Sequence, residues 1–143
     1  MPDIRWKQRF ENFEKAYNNL KLTLNASALK ELERLPLNQN TSNIIYKMAI
    51  IQAYEMAFEL SWKTVKDFLN EQGIKTNFPR EVIKEAFAYE IIEDGEAWIK
   101  MLDDRNATSH TYDEEKANLV VDEITTKYFY AIEQVFNYLK GKL

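Results

Sequence analysis

The sequence predicts an all-α protein, an up-and-down four-helix bundle with one short extra helix before the last long one, and three observations carry that expectation. Its 143 residues include only three glycines and three prolines, so turns are few and elements are long. Apolar residues recur at spacings of three and four, the period of one helical face. No stretch alternates apolar and polar residues as a half-buried strand does. The length fits one domain, residues 1–143, with enough chain to bury a real core.

The first helix is expected from about Ile4 to Leu35, where Phe10, Phe13, Tyr17, Leu20 and Leu24 mark its face and Pro36 ends it. The polar run Leu37 to Asn43 reads as a loop, with Thr41, Ser42 or Asn43 capping the second helix. That helix continues to about Gln72, where Gly73 supplies a left-handed stop. Its apolar stripe of Ile44, Met48, Ile51, Phe58, Trp62, Val65 and Leu69 is interrupted by Glu55. A carboxylate there must find a partner or stay at the stripe's edge, because burying an unpaired charge is costly. Glu59 and Lys63 lie four apart in the favourable order and read as an ordinary surface pair.

Pro79 opens a third helix in the first turn, where its missing N–H does no harm. It carries Val82, Ile83, Ala86 and Phe87 on to Ile91-Ile92, and Asp94-Gly95 breaks it. Glu96 to about Asp103 forms one or two turns anchored by Trp98, Met101 and Leu102. The last helix starts at Thr111 or Asp113, where Thr111-Tyr112-Asp113-Glu114 fits a capping box. Two stripes follow: Ala117, Val121, Ile124, Tyr128, Ala131, Val135 and Tyr138, then Phe129, Ile132, Phe136 and Leu139. One can pack internally, and the other suggests a partner surface.

The absence of cysteine excludes a disulfide framework or thiolate metal site and fits a reducing cytoplasm. The charged start Met1 to Lys7 leads into no apolar run, so neither a signal peptide nor a membrane span is expected. A net charge of −4 and a pI near 5.2 oppose the basic footprint of a general nucleic-acid binder. Any RNA contact therefore needs a local patch, for which Lys63, Lys66, Lys75, Arg80 and Lys84 are candidates, although each also reads as part of a solvated helix face.

Chemistry concentrates between Met101 and Glu114. His110 is the only histidine, so imidazole proton transfer has to occur here. Arg105 adds a permanently charged fork suited to a phosphate or carboxylate, and Tyr112 a hydroxyl. On a continuous helix, residues five apart diverge by about 140°, so Arg105 and His110 converge only if the chain leaves the helix between them. Asn106, Thr108 and Ser109 would then line a loop at the mouth of the last helix, whose free amides favour anions. No His/Asp/Glu cluster suggests a metal, and no cofactor is implied.

The pattern Arg105-x4-His110-x-Tyr112, with polar Asn106 after the arginine, resembles the signature of HEPN-domain proteins. Four segments extend the likeness: Phe58 to Asp67, Pro79 to Phe87, Asp94 to Trp98 and Asp104 to Asp113. Together they resemble the helical subunit paired with minimal nucleotidyltransferases, the nucleotidyltransferase substrate-binding proteins. Phe78 departs from the family pattern, in which a small hydroxyl residue precedes the proline.

The resemblance implies a helical bundle, a minimal nucleotidyltransferase as partner, and a homodimer whose Arg-x4-His segments share a cleft. It also implies two functions. In one, Arg105 and His110 cut RNA without metal and Asn106 supports them, while Tyr112 accepts AMP from the partner in a toxin-antitoxin-like pair. In the other, the chain is a non-catalytic subunit presenting nucleotide or acceptor substrate, with Arg105 and His110 contacting phosphate without cleaving it; Lys63 and Arg80, from the basic candidates above, are possible binding residues apart from the resemblance. A third reading, from the residues alone, makes the segment a conformational lock in a dimerising bundle.

Overall fold

The structure, a computed structural model, describes residues 5–106 and 113–143. These residues are helical throughout their regular elements, in the order α1 (Arg5–Thr23), α2 (Ala26–Glu33), α3 (Gln39–Glu71), α4 (Pro79–Ala88), α5 (Gly95–Asn106), α6 (Glu114–Glu123), a π-helical turn (Ile124–Tyr128) and α7 (Phe129–Lys140). α1 lies along α3, α6 and α7 pack on α3, and α4 and α5 pack on each other. These six helices and the π-helical turn share one hydrophobic core, to which α2 adds no residue. None of the described helices is long and apolar enough to cross a membrane.

Local chemistry sets several boundaries differently from the sequence expectation. The single helix expected over Ile4 to Leu35 is two, because the Asn25 side chain accepts from the Ser27 amide and starts α2 afresh. α3 begins before Thr41: Asn38 is its cap, accepting from the Thr41 amide at 2.8 Å. Phe78 supplies no side-chain cap to α4, and Glu81 Oε1 accepts from the Asn77 amide just upstream.

α3 ends as expected at Gly73, whose φ is +86°. The Gly73 amide donates to the Asn70 carbonyl and the Ile74 amide to that of Leu69, which closes the last turn. α4 uses the same device one helix later, five residues before the glycine that was expected to break it. Glu90 takes the left-handed position at φ +62°, Glu90 donates to Phe87, and Ile91 to Ala86. The chain thus turns before Ile91 and Ile92, which are buried after the helix has ended.

The last helices correct a further expectation. Ile124, Tyr128, Ala131 and Val135 of one stripe and Phe129, Ile132, Phe136 and Leu139 of the other are all buried. Phe136 stacks between Phe10 and Tyr17 at 5.3 and 4.2 Å, and Phe129 stacks on Tyr17 at 5.8 Å. The second stripe therefore packs on α1 instead of offering a partner surface. Burial of such side chains contributes roughly 1.5–3 kcal/mol each. Thr125 and Thr126 hydroxyls both donate to the Asp122 carbonyl, and this competition with the backbone ladder accompanies the π turn. The Phe129 amide reaches back five residues to Ile124.

Candidate functional site

The site is built on the open end of α5. Asp94 starts this helix by accepting from the Ala97 amide, and Ala97, Trp98, Met101 and Leu102 then bury one side of it in the core. The helix runs further than expected, through Arg105 to Asn106. Its last turn carries Asp103, Asp104, Arg105 and Asn106, and the first three each meet a different element. Asp103 pairs with Arg80 of α4 at 3.0 Å. Asp104 accepts a short hydrogen bond from the Tyr128 hydroxyl in the π turn. Arg105 crosses to α3, where its Nε lies 2.5 Å from Glu59 Oε1.

Glu59 is the residue that sequence reasoning underrated. Its Oε2 accepts from the Trp62 indole N–H at 3.1 Å and lies 3.8 Å from Lys63 Nζ. The expected i,i+4 pair is present, but the same carboxylate also holds the candidate arginine. Arg105 Nη1 donates to Asn106 Oδ1 at 3.3 Å, so Asn106 touches the guanidinium. The signal in the sequence is the ladder Glu55, Glu59, Lys63 on one helix, in which Glu55 is the more conspicuous because it interrupts the apolar stripe. Glu55 is half-buried, which places it at the stripe's edge.

The two candidate binding cations separate. Lys63 shares the Glu59 carboxylate with Arg105, which brings it to the site. Arg80 is bound to Asp103, and residues two apart on a helix diverge by about 200°, so it lies on another side of α5. His110 and Tyr112 lie outside the described residues, as does Thr111 of the expected capping box. Asp113, with φ −115° and ψ 110°, caps α6 by accepting from the amides of Glu115 and Lys116. The extended conformation of Asp113 means that α5 and α6 are separate helices.

Two buried tyrosines lie next to this last turn of α5, joined to it by the Tyr128 bond to Asp104. Tyr54 and Tyr128 are buried with ring centroids 5.6 Å apart. Burial, and then the bond to Asp104, pushes the Tyr128 hydroxyl far above its ordinary pKa, so it stays a donor. Burial also raises Tyr54, reinforced by Tyr128, Asp104, Glu55 and Glu59. The Tyr54 hydroxyl has no hydrogen-bond partner among the described residues. Among those residues no group of three or more histidines, aspartates or glutamates is placed to hold a metal. The arrangement is a guanidinium paired with a carboxylate, with a second cation, Lys63, on that same carboxylate. Chemically it can hold a phosphate or carboxylate.

Residues 8–141 match the family described as nucleotidyltransferase substrate binding protein like. Over 93 residues the chain is 34% identical to a Haemophilus influenzae protein named Probable ribonuclease HepT; the match covers 59% of this chain and spans 64% of that protein's length. A Haemophilus influenzae structure, described as revealing the fold of a substrate binding domain of a nucleotidyltransferase, superposes with a TM-score of 0.74 at 26% identity, covering 92% of this chain and 98% of the other. A Thermus thermophilus structure gives a TM-score of 0.67 at 30% identity, covering 89% and 98%.

Proposed function

The chain belongs to the nucleotidyltransferase substrate binding protein like family, and we propose that it is the helical partner of a minimal nucleotidyltransferase, with Arg105 and His110 forming a metal-independent endoribonuclease site. The observation that carries this reading is the Glu59 carboxylate against Arg105, which gives a surface guanidinium a fixed direction. The similarity to a protein named as a ribonuclease supports it.

In this reading a base takes the proton of a ribose 2′-hydroxyl, the 2′-oxygen attacks phosphorus, and the bond to the 5′-oxygen breaks as an acid protonates that oxygen. A 2′,3′-cyclic phosphate and a 5′-hydroxyl result. Arg105 stabilises the charge on the phosphorane, and His110 serves as base or acid. One imidazole per chain does not fill both proton roles in one step, which favours two copies sharing a cleft. Ile45, Met48 and Met56 are exposed on the same face of α3 as Glu59 and Lys63, and they offer the apolar surface that a second copy would cover. Tyr112 is the proposed AMP acceptor in a toxin-antitoxin-like pair. Added phosphate and adenine there would obstruct RNA by charge and bulk.

A second reading is favoured by the net charge of −4 and by the solved relative described as a substrate binding domain. In it Arg105 contacts a phosphate without cleaving it, and the chain presents nucleotide or acceptor substrate to its partner. RNA incubated in chelator with wild type and His110→Ala, beside binding to the partner enzyme, separates the two. Cutting lost in His110→Ala is the expected result; uncut RNA with intact partner binding selects the second reading.

A further inference from the structure

A cavity of about 280 Å³ opens between α1 and α3 beside the Arg105 site, lined by Arg9, Trp62, Lys63, Lys66 and Asp67. Its charges are ordered from below. Asp67 is buried and holds Arg9 Nε at 2.6 Å, which fixes the guanidinium at the rim. Lys63 Nζ sits 5.8 Å from the Trp62 ring centroid. Lys66 has no ion-pair partner among the described residues. Arg9 and Lys63 are thus each held by a carboxylate, Asp67 and Glu59, and Lys66 adds the cation that no carboxylate offsets among the described residues, in a chain whose net charge is −4. The Glu59 carboxylate links Lys63 to Arg105, so the cavity adjoins the proposed centre.

We propose that this cavity is a second phosphate subsite, which holds a phosphodiester of single-stranded RNA flanking the one at Arg105. The proposal rests on the RNA-cleaving reading of that centre. It makes the ligand an oligonucleotide, because a mononucleotide has no neighbouring phosphodiester to place there. Trp62 is only 8% exposed, so its ring is not available as a stacking platform for a base. Recognition at the subsite runs through charge on the backbone and is indifferent to sequence.

The test is anisotropy of a labelled single-stranded RNA carrying 2′-O-methyl groups throughout, which blocks attack by the 2′-oxygen, titrated in chelator at several salt concentrations. Lys66→Ala removes no ion pair among the described residues, and its melting temperature is measured beside that of wild type. It is expected to weaken binding about fivefold and to lower the slope of log affinity against log salt by about 0.7. Lys30→Ala, on exposed α2, should match wild type. Unchanged slope and affinity in Lys66→Ala, or absence of RNA binding by wild type, overturns the subsite. So does an equal loss in Lys66→Ala for ATP, which would make the cavity a mononucleotide site. Cutting of unmodified RNA is read separately: intact cutting with an unchanged slope leaves the nuclease reading standing without the subsite, and a reduced slope with RNA never cut does the reverse.

Discussion

Arg105 of α5 and Glu59 of α3 meet with Nε 2.5 Å from Oε1, and the same carboxylate takes the Trp62 indole N–H through its other oxygen. The two side chains are 35% and 29% exposed, so solvent screening keeps the pair's own contribution to stability small. Its consequence is orientation. Glu59→Ala should lower the turnover of RNA cleavage about tenfold while KM moves less than threefold, because the guanidinium stays present but is no longer aimed. Glu59→Gln keeps the shape and should lose less. Steady-state cleavage kinetics in chelator check this, and equal turnover in all three proteins would mean that Glu59 positions nothing.

The buried pair Tyr54 and Tyr128 gives a prediction for pH. Folding raises the pKa values of Tyr54 and Tyr128 above 10.0, chiefly through burial. Their protonated forms therefore favour the folded state fully below pH 10, and the contribution is lost as pH rises from there, since the unfolded chain releases those protons first. Urea melts between pH 8 and 11 should show stability falling above pH 10. Tyr54→Phe should flatten that fall without destabilising the protein at neutral pH, because its hydroxyl has no partner among the described residues. Tyr128→Phe removes the donor to Asp104 and should cost about 1 kcal/mol at neutral pH.

Two helix ends of the same type carry different residues at the left-handed position. Gly73→Ala adds a Cβ that meets nothing within 4 Å, so its cost is backbone strain alone, about 1 kcal/mol. Glu90→Gly relieves the same strain at the end of α4 and should stabilise by roughly 0.5–1 kcal/mol. Shifts of opposite sign in the denaturation midpoint are the expected result.

Asp113 caps α6 with a single oxygen bonded to two amides. Asp113→Ala should cost about 1 kcal/mol. Glu114→Ala, at an exposed position beside it, should cost much less. Thermal melts of the two variants compare them directly.

Helix identity and the core were legible because the periodicity of Phe10, Phe13, Tyr17 and Leu20 is a direct image of packing, and all four are buried. Helix boundaries were less so. Asn25 and Asn38 were ordinary polar residues until the amides they accept from were known. Glu90 hid the end of α4 because a left-handed stop without glycine leaves no compositional mark. In the site, Arg105 and Asn106 stood out by type and spacing. Glu59 did not, because its decisive partner lies 46 positions away in sequence (105 − 59) and only the α3–α5 geometry joins them. Tyr128 escaped notice for a similar reason: its apolar stripe concealed a hydroxyl aimed at Asp104.

The central claim is that the Arg105 guanidinium acts on a phosphodiester. Single-turnover cleavage of RNA in chelator by wild type, Arg105→Lys and Arg105→Ala, each checked for its melting temperature, tests it most directly. The account predicts a rate about 10²–10³ lower in Arg105→Ala, as for loss of one stabilising donor at a charged transition state, and a smaller loss in Arg105→Lys. Cleavage at one common rate by all three proteins would contradict it.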